Sequence, residues 1–218
     1  MLLVRDLMTR ELATLGPEAS AAEALNICRD RSVRHIPIQE DGRLVGLVSD
    51  RDLGRASPPE GEENREDTLR EMKVGDIMAR DVITAHPQDP VGYAAKEMYE
   101  RKINALPVVV EEDGTEELLG IVTSTDVLRA LVMLTGVHES GSQVQVEAPD
   151  RPGVLAEVVE VIHDLDVDIL SALSSPQKRG SSRTMIFRLT AEDPSTVVQS
   201  LQMAGYSVNW IDIPDRPN

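Results

Sequence analysis

The chain has 218 residues, of which 41% are hydrophobic and only 2% aromatic, so its core must be built from Val, Ile, Leu, Ala and Met. Its 22 basic and 38 acidic residues leave a net charge of −16, a field that repels nucleic acid and anionic membrane and argues against both as partners. The one cysteine, Cys28, cannot form an intrachain disulfide, and the apolar stretches Met1–Val4 and Ala130–Leu134 are far shorter than the ~20 residues of a membrane helix, so a soluble, cytoplasmic protein is expected.

Val4-Arg5-Asp6-Leu7-Met8 reads as a short helix, followed by a short strand near Thr14. An amphipathic helix comes next, with Ser20 and Glu23 at capping-box spacing. Two apolar strands, Ile36–Gln39 and Leu44–Val48, flank the turn pair Asp41-Gly42. A further helix opens near Ser49. Ser57–Asp67, with two prolines, a glycine and five acidic residues, reads as a mobile acidic loop.

The series then repeats. At a shift of 70, Val4, Asp6, Met8, Thr14, Pro17 and Pro37 meet Val74, Asp76, Met78, Thr84, Pro87 and Pro107. At a shift of 74, Leu44, Gly46, Val48 and Asp52 meet Leu118, Gly120, Val122 and Asp126. The four extra residues belong to a longer turn around Glu111–Glu117, which contains Asp113-Gly114, as a surface hairpin tolerates. Copy two has Asp89 as the expected N-cap of its amphipathic helix and Pro90 at the first helical position. Its strands are Leu106–Val110 and Leu118–Val122, and its last helix opens near Thr123.

After a linker at Gly136–Ser142 the pattern changes. Val144 and Val146 alternate with polar residues as in a strand, Asp150-Arg151-Pro152-Gly153 leads into the helix Val154–Leu165, and Val167–Ser174 is a second strand. A polar turn, Pro176–Ser182, precedes the strand Thr184–Thr190. Asp193 and Pro194 start a helix that Gly205 ends, and Tyr206–Ile213 is the last strand. The predicted fold class is α/β (α+β), with a ferredoxin-like β-α-β-β-α-β unit after the repeat.

The repeat resembles the CBS domain. The resemblance rests on Arg34-His35-Ile36-Pro37 and Gly46-Leu47-Val48-Ser49-Asp50-Arg51-Asp52 in copy one, and on Asn104-Ala105-Leu106-Pro107 and Gly120-Ile121-Val122-Thr123-Ser124-Thr125-Asp126 in copy two. The third segment looks like an ACT domain through Asp150-Arg151-Pro152-Gly153-Val154-Leu155. Expected boundaries are 1–135 for the pair (copy one 1–56, copy two 72–135) and 143–214 for the ACT domain, an arrangement similar to the acetoin-utilisation regulator family.

The resemblance implies an adenosine-containing ligand, AMP, ADP, ATP or S-adenosylmethionine, in clefts between the copies, and no resident cofactor. A carboxylate can accept both hydroxyls of a ribose, and a Ser or Thr hydroxyl at a helix start can donate to phosphate, which suits Ser49 with Asp52 and Thr123 with Asp126. The same residues also satisfy a capping box, with Asp in place of Glu. In the family the position of Arg34 and His35 can reach a phosphate. Asn104 and Ala105 replace them in copy two, so unequal sites are expected. Thr14 and Thr84 begin the cleft-lining strands, and Ile36, Pro37, Leu106 and Pro107 supply backbone and apolar surface for adenine.

In the ACT segment, Asp150, Gly153, Val154 and Leu155 are candidate contacts for a second small molecule such as an amino acid, though a tight strand-to-helix turn explains Gly153 equally. Asp168 stands where amino-acid-binding relatives often have Asn, which argues against that ligand. No phosphate-binding glycine loop, dinucleotide turn, zinc motif or nucleophile–base pattern is present. The sequence therefore reads as a homodimeric regulatory sensor with an unidentified target protein, not an enzyme. A ligand-free interaction scaffold and an enzyme of nucleotide or amino-acid metabolism stay open as alternatives.

Overall fold

The computed structural model describes residues 2–59, 61, 64–112, 115–177 and 181–210. The chain divides into two compact units, Met1–Ala130 and Leu131–Asn218.

In the first unit, copy one contains α1 (Val4–Leu7), α2 (Ala21–Asp30), β1 (His35–Glu40), β2 (Arg43–Ser49) and α3 (Asp50–Ala56). A helix not anticipated in the sequence, α4 (Arg65–Glu71), starts inside the expected acidic loop and buries Leu69. Copy two follows with α5 (Val74–Ile77), α6 (Val91–Arg101), β3 (Ala105–Glu112), β4 (Thr115–Thr123) and α7 (Ser124–Thr135), the last of which runs across the unit boundary.

Each copy holds one antiparallel hairpin, β1 with β2 and β3 with β4. In the first, Asp41 and Gly42 both take positive φ, as the predicted two-residue turn requires. The second turn, Asp113-Gly114, lies outside the described residues. Both hairpins carry a register irregularity at matching places, after Ile38 and after Val108. The strands expected near Thr14 and Thr84 shrink to single parallel bridges, Leu15 with Ile38 and Ala85 with Val108.

Of the caps predicted for the two amphipathic helices, one is corrected and one holds. Pro90 is the N-cap of α6, and the Asp89 carboxylate instead accepts the His86 N–H at 2.8 Å. Ser20 does cap α2, accepting the Glu23 N–H at 3.2 Å.

The two copies complete each other's cores. Val74 and Met78 of copy two pack with Ala24, Ile36, Ile38 and Leu53 of copy one. Val4 and Met8 of copy one pack with Ala94, Leu106, Val108 and Val122 of copy two. Backbone bonds follow the same exchange: the Val4 N–H donates to Asp89 O at 2.9 Å, and the Val74 N–H donates to Ala19 O at 2.9 Å. Bridges join Leu47 to Ala79 and Thr9 to Ile121.

Glycine is what permits those bridges. A Cβ on Gly46 would stand 2.3 Å from Met78 Sδ and 3.0 Å from Ala79 O, and one on Gly120 would stand 2.7 Å from Thr9 O. The matched positions in the repeat are thus matched contacts.

The second unit is a four-stranded antiparallel sheet in the order β6-β7-β5-β8, built from β5 (Ser142–Pro149), β6 (Ile169–Pro176), β7 (Ser182–Leu189) and β8 (Ser207–Trp210). This is the order expected of a β-α-β-β-α-β unit. Alternation along β5 buries Val144, Val146 and Ala148 against Val158 and Ile162 of α8 (Val154–His163) and Val197 and Leu201 of α9 (Ser195–Met203), around Phe187. At the start of α9, the cap is Pro194, while Asp193 accepts the Ser195 N–H at 2.9 Å. Gly205 ends the helix at φ +91. Residues 178–180 of the predicted turn and 211–213 of the predicted last strand lie outside the described residues.

Gly120→Ala should destabilise the first unit by about 1–3 kcal/mol, because the new methyl meets a backbone oxygen that cannot swing away. Gly54→Ala, in a helix with open space, should be neutral or stabilising by up to about 1 kcal/mol. Denaturant unfolding of both variants checks this, and equal effects would contradict the exchanged packing.

Candidate functional site

A cavity of about 750 Å³ opens where residues 9–13 meet the two hairpins of the first unit. Copy one contributes Arg34, His35, Pro37, Ser49, Asp50 and Arg51 to its wall, and copy two contributes Asn104, Ile121, Thr123, Ser124, Thr125 and Asp126. It is thus a joint product of both repeats. His35 and Ser49 are cross-strand partners in the first hairpin, as are Ala105 and Thr123 in the second, so each hairpin delivers its helix start to the same place.

Both helix starts are capped reciprocally. At α3, the Ser49 N–H and hydroxyl donate to Asp52 Oδ2 at 3.0 and 2.5 Å, and the Asp52 N–H donates to Ser49 Oγ at 3.2 Å. At α7, Thr123 and Asp126 repeat the set at 2.9, 2.7 and 3.3 Å. Capping and site residues are therefore the same residues. The Ser49 and Thr123 hydroxyls, expected to donate to a phosphate, here donate to the carboxylates of Asp52 and Asp126.

The two carboxylates then diverge. Asp126 lines the cavity, with Oδ1 3.3 Å from Arg129, which also donates to Leu7 O at 3.0 Å. Asp52 is half-buried and is not on the cavity wall.

Burial holds the His35 imidazole below its ordinary value, and Arg34 and Arg51 push the same way, while Asp50 and Asp52 offset part of the effect. The shift favours the neutral ring, which offers one N–H where the charged form would offer two.

Other candidates lie apart. Ile36 and Leu106 are 0% and 1% exposed, and their side chains belong to the cores. Thr14, Thr84 and Pro107 are not on the cavity wall. Sequence reasoning missed Glu11, Leu12 and Ala13 on the entry segment, and Arg51 beside the cap. The 70-residue shift placed the entry segment in the repeat but carried no sign that it walls the cleft.

In the second unit, Gly153 is the N-cap of α8 at φ +87, a left-handed position that favours glycine. The Asp150 carboxylate is engaged by Arg183 Nε at 2.9 Å. Val154 is in the core and Leu155 is 41% exposed. None of the four lines the cavity of the first unit.

The CBS domain model matches residues 4–58 and 74–133, and the ACT domain model matches residues 142–202. A CBS domain-containing protein of Dictyostelium discoideum is 36% identical over 135 residues, covering 60% of this chain and 91% of its own. Homoserine O-acetyltransferase of Methanococcoides burtonii is 36% identical over 129 residues, 59% of this chain, but that match spans only 24% of the enzyme. Among solved structures, an acetoin utilization protein (AcuB) from Vibrio cholerae is 29% identical with a TM-score of 0.52, covering 63% of this chain and 96% of its own. CBSX2 in complex with AMP is 29% identical with a TM-score of 0.50, covering 61% and 97%. Among the described residues, no helix is long and apolar enough to cross a membrane.

An NMR titration should place the His35 midpoint below 6.5, and lower still in Asp50→Asn, which removes an offsetting charge. Because the unfolded imidazole takes up its proton near 6.5 and the folded one does not, this residue's contribution to stability is lost as pH falls through that value. A midpoint above 6.5 would contradict the neutral ring.

Proposed function

The chain belongs to the CBS-domain family, with an ACT domain after its CBS pair, and on that premise we propose that it is a regulatory sensor holding an adenosine-containing ligand in the cavity between its two copies. The observation that carries this reading is the convergence of two matched helix starts, Ser49-Asp50 and Thr123-Ser124, on one cavity large enough for a nucleoside. The resemblance to CBSX2, solved with AMP, supports the ligand class. Candidate ligands are AMP, ADP, ATP and S-adenosylmethionine.

In this reading the Asp126 carboxylate and the polar residues beside it receive the ribose, Pro37 and Ile121 offer apolar surface to the base, and Arg34 meets a charged end. The ACT domain joins two copies into a homodimer, takes a second small molecule near Gly153, and passes ligand occupancy to a target protein in the cytoplasm. Such coupling requires that ligand bind two states of the protein unequally. The activity of the enzyme relatives does not come with the match, because only a fraction of their length is shared.

Calorimetric titration of the full chain with the four candidate ligands tests the proposal. At least one should bind with a micromolar dissociation constant, and Ala13→Trp, which places a large ring in the cavity, should weaken it by about tenfold or more. A folded protein that binds none of them would favour the ligand-free scaffold.

A further inference from the structure

The two halves of the cavity differ in charge although the repeat makes them equivalent in position. Where copy one has Arg34, Asp50 and Arg51, copy two has Asn104, Ser124 and Thr125. The entry segment adds Glu11 on the same wall. These four charges, two of each sign, are exposed, and none makes an ion pair or side-chain hydrogen bond among the described residues. Yet the Asp50 N–H donates to the Arg34 carbonyl at 3.0 Å, so two opposite charges leave adjoining points of the backbone without pairing.

Resting on the adenosyl-sensor reading, we infer that the preferred ligand carries a zwitterionic end, a carboxylate together with an ammonium, in place of a run of phosphates. A guanidinium donates two parallel N–H bonds to a carboxylate, and Arg34 or Arg51 supplies it. Asp50 or Glu11 supplies the counter-charge for the ammonium. A triphosphate brings several negative charges to a wall where Glu11, Asp50 and Asp126 outnumber the guanidinium groups of Arg34 and Arg51, and it gains little. Neutral His35 adds no third positive charge.

There is also room for a tail. Ser32, Val33, Arg34 and Asp50 border both the main cavity and a second, shallower one of about 440 Å³. A nucleoside in the first can therefore extend an amino-acid tail past Arg34 and Asp50 toward the second. The chemical class is an adenosyl amino acid.

The test compares three probes on the full chain by calorimetry: S-adenosylhomocysteine, 5′-methylthioadenosine (the same nucleoside without the amino-acid end) and ATP. S-adenosylhomocysteine should bind about tenfold or more tighter than either of the others. Arg34→Met and Asp50→Asn should each remove most of that advantage, the affinity for S-adenosylhomocysteine falling toward that for 5′-methylthioadenosine, with circular dichroism showing both variants folded. Equal affinity for S-adenosylhomocysteine and 5′-methylthioadenosine, or tightest binding of ATP, would overturn the inference and leave the sensor reading standing. Failure of all three to bind would overturn the inference, and the sensor reading would fall only if AMP and ADP also failed to bind.

Discussion

The close approach of each copy to the other's backbone, at Gly46 and at Gly120, is the constraint on which the first unit depends. Without a side chain there, Ala79 bonds to Leu47 and Thr9 bonds to Ile121, while Met78 and Met8 fill the space over the glycines. The exchange has an energetic logic. A single copy offers only a two-stranded hairpin and its helices, too little apolar area to be stable alone. Lending its entry helix to its partner gives each copy a closed core, with Val74 and Met78 on one side and Val4 and Met8 on the other.

The cavity follows from the same exchange. The bridge from Thr9 to Ile121 lays residues 9–13 along copy two's hairpin, beside the Thr123–Asp126 cap. Copy one's own helix start then closes the opposite wall. Two capping boxes that would be ordinary in isolation become the polar lining of one space. The repeat also lets evolution vary the halves separately: copy one's half is charged, and copy two's half is neutral apart from Asp126, which Arg129 partly compensates.

Much of this was legible in the chain. The repeat, the hairpins, the capping pairs and the ferredoxin-like order all rest on local chemistry that a sequence carries: periodicity, turn residues and helix-start spacing. What was not legible is what depends on distant packing. Thr14 and Thr84 suit a strand, but the backbone there finds only one bridging partner each. Ile36 and Leu106 flank the site in sequence, yet strand alternation turns them into the cores. His35 reads as a residue able to reach a phosphate, but the burial that favours its neutral form depends on packing. The acidic composition around Ser57–Asp67 hid α4, whose single buried residue, Leu69, gives a weak signal. Glu11 and Arg51 gained their importance only once the two copies met.

Hydrogen–deuterium exchange of the full chain with and without AMP tests the central claim, that both copies build one ligand site. Protection should rise together at residues 9–13, at 49–51 and at 123–126, which border the cavity from three separate parts of the chain. Protection confined to one copy, or appearing only between residues 142 and 210, would contradict the joint cavity.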